Sequence, residues 1–231
     1  VNLGVRARYA LRRDGRADLV EDLAVKLPLA TICEMFDVDP AMWEQVHVWT
    51  LVLFDDPTLV RYCEVGESIR EMRRRMIAEF QDWIFDLIEE RRDAGAKGGD
   101  LISILLRSEL KGRPLTPQEL LGYVRLLIAA GNETTRNAST GGMIALLDHP
   151  DQLAVLAAHL EDDAGVDSAV EENLRWTSPV IQFARTCVEY TVIGGQLITA
   201  GDSVGIWHAS ANRVERQFPD PYPFDVLRAP N

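Results

Sequence analysis

Apolar residues step along the chain at intervals of three and four up to Pro179, and the interval shortens after Arg185. Residues 19–35 carry Leu, Ala, Val and Ile at helical spacing, and Pro28 is expected to kink that helix. Asp39-Pro40 closes this unit and opens the next, with the aspartate as cap and the proline in the first turn. The strongest amphipathic stretch is 67–92. Ile69, Met72, Met76, Phe80, Trp83 and Leu87 form one stripe, widened by Ile77, Ile84 and Ile88. Arg73, Arg74 and Arg75 fall mainly on the other face and read as a solvated surface. Residues 94–99 break the pattern, and Asp100 then caps a short helix over 101–108.

After a loop at 111–115, Thr116-Pro117-Gln118-Glu119 supplies a cap, a first-turn proline and a glutamate three residues after the cap. The helical period then continues to about Leu147, where Asp148-His149-Pro150 stops it. A rod of roughly thirty residues spans ~45 Å, enough to cross a domain through its middle. Helices over 151–160 and 166–176 follow. Short strands are expected at 186–193, 196–199 and 203–207, with turns at Gly194-Gly195 and Ala200-Gly201-Asp202 and a coil from Asn212 onward. Helices first and strands later predict a mainly α, α+β fold with a long central helix and a small β cluster near the C-terminus. It reads as one domain over 1–231, helical through 183, with short strands and coil over 184–231.

Composition narrows the function. The chain has 231 residues, 47% of them hydrophobic and 26% charged, so it can bury a core and is not disordered. Its 24 basic and 36 acidic residues leave a net charge of −12. That balance lacks the cationic face that nucleic acids and anionic membranes require. Apolar runs such as 153–158 and 126–130 fall far short of the ~20 residues of a spanning helix. No signal peptide is expected at its start, since Arg6, Arg8, Arg12 and Arg13 are not followed by an apolar core and a small-residue cleavage site. Cys33, Cys63 and Cys187 are widely spaced and form no CxxC, which suits a reducing cytoplasm. A start at Val1 and an end at Asn231 suggest a piece of something longer.

Four groups of residues could carry chemistry. Ala129-Ala130-Gly131-Asn132-Glu133-Thr134-Thr135 lies inside the long helix, although Gly and Thr both lower helix propensity. Small residues admit a close neighbour, a Thr hydroxyl can take the carbonyl four residues back, and a Glu can carry protons. A tight helix crossing would use the same residues. Glu172 and Arg175, three apart, share a helix face and can pair. Arg185 stands alone at the mouth of a strand, and Phe218-Pro219-Asp220-Pro221 leads to Phe224-Asp225-Val226-Leu227-Arg228 in the coil. The four histidines, His47, His149, His159 and His208, do not fall at metal-ligand spacing, and His149 at a helix stop suits a cap. There is no Gly-x-Ser-x-Gly, phosphate loop or Gly-x-Gly-x-x-Gly.

The order of these motifs resembles the cytochrome P450 family: Ala-Gly-x-Glu-Thr-Thr in a long helix, then Glu-x-x-Arg, then Arg-Thr, then Phe-Asp-x-x-Arg. Even residues 18–24 are similar to a helix that the family places well before its long one. The stretches 131–137 and 178–186 look most like soluble bacterial members that oxidise sterols, terpenes and other lipophiles. The resemblance implies a haem monooxygenase that uses O2 and electrons from NAD(P)H through a ferredoxin. It implies that Ala130 and Gly131 lie over the haem, that Glu133 and Thr134 are the acid–alcohol pair that delivers protons and steadies dioxygen, and that Arg185 binds a haem propionate. Leu126, Leu127, Val180, Ile181 and Phe183 would line the substrate site. Glu172 and Arg175 would form a buried structural network. Pro223 stands where many members place that network's third, basic partner, with Arg228 nearby. The family's Cys thiolate ligand is expected beyond Asn231, so this chain alone is expected to be inactive, with no metal ligand of its own. A non-catalytic helical lipophile-binding or scaffold protein of the same fold is the alternative.

Overall fold

The computed structural model describes residues 17–229. The described residues are mainly helical, with three two-stranded antiparallel sheets, the architecture that the periodicity predicts. Contacts divide the chain into two units, Val1–Arg136 and Asn137–Asn231.

The first unit holds α1 (Lys26–Met35), α2 (Trp43–Leu53), α3 (Ile69–Asp93), α4 (Leu101–Arg107), a minimal hairpin of β1 (Glu109–Leu110) and β2 (Arg113–Pro114), and the first part of α5 (Pro117–Asp148). Pro28 sits in the first turn of α1, where its missing N–H is least felt. The irregularity expected there lies upstream instead, as a π-helical turn at Val20–Ala24. Asp39 caps Ala41 N at 2.8 Å, and the turn it opens runs into α2.

Helix α3 starts on a reciprocal capping box between Ser68 and Glu71. Its inward stripe is Met72, Met76, Phe80, Ile84 and Ile88, one residue per turn. Ile69, expected in that stripe, is half exposed because it precedes the first packed turn. Trp49 of α2 stacks on Phe80 at 5.1 Å and tilts against Trp83 at 5.2 Å. Leu120, Val124 and Ile128 of α5 enter the same core. Thr116 and Glu119 form the predicted box at the start of α5. Thr116 N donates to Glu119 Oε2 at 2.8 Å, and Glu119 N donates to Thr116 Oγ1 at 3.3 Å. Arg113 adds two bonds of 2.8 Å to the same carboxylate and, with the cap, lowers its pKa to about 2.

The second unit holds the end of α5, then α6 (Pro150–Ala158), α7 (Asp163–Thr177), the remaining strands and α8 (His208–Ala211). A Cβ on Gly142 would lie 2.3 Å from Asn173 Nδ2, so α5 and α7 meet backbone to side chain there. Asn173 Nδ2 in turn donates to the Ala138 carbonyl at 3.2 Å. His149 bonds the Ala145 carbonyl through Nδ1 at 2.8 Å, closing the end of α5. The strand expected at 186–193 is two strands. β3 (Gln182–Thr186) starts earlier and pairs with β6 (Ser203–Trp207), whereas β4 (Thr191–Ile193) pairs with β5 (Gln196–Ile198). Residues 187–190 bend between them, with Cys187 Sγ donating to the Glu189 carbonyl at 2.8 Å.

Candidate functional site

The low-propensity stretch of α5 divides its residues by direction. Gly131 faces α1, and a Cβ there would lie 3.2 Å from Ile32 Cδ1. Asn132 points into the core and is 1% exposed. Its Nδ2 donates to Thr50 Oγ1 at 3.1 Å, tying α5 to α2. Thr134 Oγ1 donates to the Ala130 carbonyl at 2.7 Å, the back-bond that bends and opens a helix. Glu133 forms an ion pair with Arg136, one turn on, and both side chains are mostly buried. Leu127 packs against the core, whereas Leu126 is 62% exposed and Ala130 is exposed.

Tyr123, Leu126 and Ala130 form an exposed, largely apolar row, with the half-buried Thr134 at its end. A solvent face of a helix is ordinarily polar. An open apolar row beside a hydroxyl that already bends the backbone suits a flat apolar group laid against the helix. That is the chemistry of a haem's upper face, so these residues fit the group. A thiolate ligand does not come from Cys33. It is 1% exposed in α1, and burial pushes its thiol up to about 12.

The second unit carries a buried charge network. Glu172 of α7 is fully buried. Arg175 holds it with two bonds, Nε to Oε2 at 2.5 Å and NH2 to Oε1 at 2.8 Å. Arg228 adds Nε to Oε2 at 3.1 Å, and Asp225 N donates to Oε1 at 2.9 Å. Arg175 also donates to the carbonyls of Asn212, Pro221 and Pro223, and Arg228 to those of Pro219, Asp220 and Pro223. One carboxylate thus neutralises one of two guanidiniums, and carbonyl dipoles take the remaining donors. The coil is wound onto the end of α7 by these bonds. Pro223 contributes only its carbonyl, and Arg228 is the third partner. Its place in Phe-Asp-x-x-Arg was visible in the sequence, but its partner lies 56 residues back.

Ser178 ends α7 in the left-handed conformation at φ 44°, and its hydroxyl accepts from Asn212 Nδ2 at 3.0 Å. That turn aims the chain through Val180, Ile181 and Phe183. Val180 is half-buried, whereas Ile181 and Phe183 are 59% and 47% exposed. Pro179 and Ile181, with Gly141 and Thr177, line an open cleft of 410 Å³. Arg185 is exposed. Its guanidinium lies over the Phe183 ring at 5.3 Å and donates to the Ala184 carbonyl at 2.9 Å, which leaves further donors outward. Sequence reasoning weighed His47 only as a metal ligand, passed over Thr50, and gave Asn132 no role. Their connection runs between α2 and α5 and leaves no local pattern.

Known proteins match this arrangement. The family model described as Cytochrome P450 matches residues 165–228, which contain the Glu172 network. A methyl-branched lipid omega-hydroxylase of Mycobacterium tuberculosis is 37% identical over 229 residues, 98% of this chain and 51% of that protein. The cytochrome P450 monooxygenase PikC of Streptomyces venezuelae is 41% identical over 219 residues, 93% of this chain and 48% of that protein. Among solved structures, Mycobacterium marinum cytochrome P450 CYP268A2, in complex with pseudoionone, superposes with a TM-score of 0.83 at 32% identity. That match covers 99% of this chain and 55% of the other. The chain spans about half the length of the curated relatives it matches. Sequence motifs, buried network, helix order and these likenesses agree, and the chain belongs to the cytochrome P450 family.

Proposed function

We propose that these residues form part of a haem monooxygenase that inserts one oxygen atom into a C–H bond of a lipophile, such as a sterol, terpene or fatty acid. The observation that carries this reading is the open apolar row on α5 with Thr134 back-bonded to Ala130. A bound haem supplies the activation of O2. Ala130 leaves room for it on the open row, whereas Gly131 faces Ile32 and does not, and Arg185 has outward donors that suit a propionate. The thiolate ligand would be a cysteine beyond Asn231, as the family resemblance implies, and not Cys33, whose thiol pKa is raised by burial.

Thr134 Oγ1 keeps a hydrogen-bonding oxygen at the open row, where it orders the O2 side of the site. Glu133 carries the proton to it, and Arg136 holds the Glu133 carboxylate in place. Leu126 offers exposed apolar surface to a lipophile, whereas Leu127 packs against the core; in the second unit Ile181 and Phe183 offer exposed apolar surface of their own, with Val180 half-buried beside them. The lipophile class has support in the relatives: one is named a linalool 8-monooxygenase, another a steroid C26-monooxygenase. Electrons arrive from NAD(P)H through a ferredoxin and its reductase. No described helix is long and apolar enough to cross a membrane, and the place of action we propose is the cytoplasm.

The test is expression of the full polypeptide carrying these residues. It should show the thiolate–haem band with carbon monoxide, a spectral shift with a terpene or fatty acid, and a product heavier by one oxygen atom. A full-length protein with no such band would refute the proposal and favour a non-catalytic lipophile binder.

A further inference from the structure

The second unit holds a pocket that the oxygenase reading does not use. Four parts of that unit enclose it: the end of α5 through Leu146, α6 through Leu156, α7 through Ala169, and the coil through Phe224 and Val226. Ala169, Phe224 and Val226 are buried and make its floor, whereas Leu160 and Val170 are exposed and stand at its mouth. Its volume is about 180 Å³. None of the residues assigned to substrate contact lines it.

The lining decides what can enter. No charged side chain is among the described residues that line the pocket. Its one polar side chain, Asn173, is already engaged: Nδ2 donates to the Ala138 carbonyl at 3.2 Å, and Oδ1 is shut off from solvent. Water needs two or more polar partners to stay in such a place, and an apolar cavity of about 150 Å³ stays dry and takes benzene or xenon instead. A charged ligand would lose its hydration without gaining a partner. The pocket is therefore matched to one compact neutral lipophile, an aromatic ring or a branched chain of similar bulk.

Two wall residues flank Asp225. Asp225 N donates to Glu172 Oε1 at 2.9 Å, and Val226 N donates to Gln152 Oε1 of α6 at 3.0 Å. A guest packed on Phe224 and Val226 bears on the segment that closes the buried Glu172 network. We infer that this pocket is a second lipophile site, which takes one small neutral molecule and thereby holds residues 224–226 onto α6 and α7. Binding to the folded coil alone stabilises it, by an amount that grows with ligand concentration.

The test uses the full-length protein. Crystals pressurised with xenon should show a xenon peak against Leu146, Leu156 and Phe224. No peak there, or a pocket filled by the protein's own chain, overturns the inference. In solution, saturating benzene should slow hydrogen exchange at the Asp225 and Val226 amides severalfold and raise the thermal midpoint by a few degrees. Ala169→Leu fills the floor, and Val170→Trp shuts the mouth from an exposed position; each should abolish the slowing. Val170→Trp keeps the test decisive if Ala169→Leu does not fold. No slowing in the unaltered protein, or slowing that persists in the variants, overturns the inference. Benzene bound beside the haem would instead shift the haem spectrum and leave these amides as they were, which also counts against the pocket. Neither arm needs turnover, so xenon and benzene bound here in a protein lacking the thiolate–haem band would uphold the pocket while the oxygenase reading fails.

Discussion

The buried carboxylate of Glu172 serves two arginines, and that sharing predicts a specific pattern of losses. Arg175 contributes two bonds to it and Arg228 one, and each arginine also holds three carbonyls of the coil. Arg228→Met leaves Glu172 paired with Arg175. The cost is then the lost charge-assisted bonds, about 1.5–3 kcal/mol. Arg175→Met removes the two-pronged partner and leaves one bond of 3.1 Å from Arg228, with an expected cost of about 3–5 kcal/mol. Glu172→Gln leaves two buried cations about a neutral amide and falls in the same range of about 3–5 kcal/mol.

The discriminating variant is the double one, Arg175→Met with Arg228→Met. It leaves a fully buried carboxylate with no cation, so its cost should exceed the sum of the two single costs. The assay is urea unfolding of the full-length polypeptide by circular dichroism at pH 7, comparing midpoints at constant slope. Single and double costs that add within about 0.5 kcal/mol would refute Glu172 as the shared hub.

Other expectations are more local. Thr134→Ala removes the 2.7 Å bond to the Ala130 carbonyl and the hydroxyl of the open row; O2 consumption should continue while product per O2 falls severalfold, measured by oxygen electrode against product yield, and unchanged coupling would count against its role. Gly142→Ala places a Cβ 2.3 Å from Asn173 Nδ2 and should destabilise by about 1–3 kcal/mol in a urea titration, whereas Gly131→Ala, meeting only a flexible Ile32 methyl at 3.2 Å, should lose less. Glu119 is held at about 2 against an ordinary 4.5 by Arg113 and the Thr116 cap. Because the folded value is the lower one, this contribution is fully present above pH 4.5 and is lost as pH falls toward 2. Glu119→Gln should flatten that acid limb, as followed by circular dichroism.

What could be read from the chain was whatever its neighbours in sequence determine. Thr116 and Glu119, Ser68 and Glu71, and Asp100 and Ser103 make their caps within three residues, so the residue types alone locate the helix starts. The Glu172–Arg175 pair is local in the same sense. Its burial is not local, because it arises from a coil 40 to 56 residues later that folds back onto it. The break at 187–190 was missed because alternation runs through it; Cys187 still exchanges backbone bonds with Asp202 and Gly201, partners that no spacing reveals, and the chain leaves the ladder only after them. The Asn132–Thr50 contact spans 82 residues and joins two polar residues that each look ordinary in a helix.

The same limit explains the central stretch of α5. Read as a string, Ala-Gly-Asn-Glu-Thr offers a choice between a helix crossing and a chemical notch. In the structure successive residues take both parts, since each turns about 100° from the last. Gly131 has no side chain because Ile32 is there, and Asn132 is polar because Thr50 is there. Ala130 and Thr134, four apart, share the remaining open row and make one bond to each other. The crossing fixes the rotation of the helix, and that rotation brings the hydroxyl to the open row. Substitutions at Ile32 or Thr50 should therefore disturb O2 coupling without touching the row itself. Ile32→Ala removes the contact against Gly131, frees α5 to rotate, and should lower product per O2 in the same assay as Thr134→Ala, while Ile32→Val, which keeps most of the contact, should not. Equal coupling in Ile32→Ala and the unaltered protein would mean that the row is oriented by something other than this crossing.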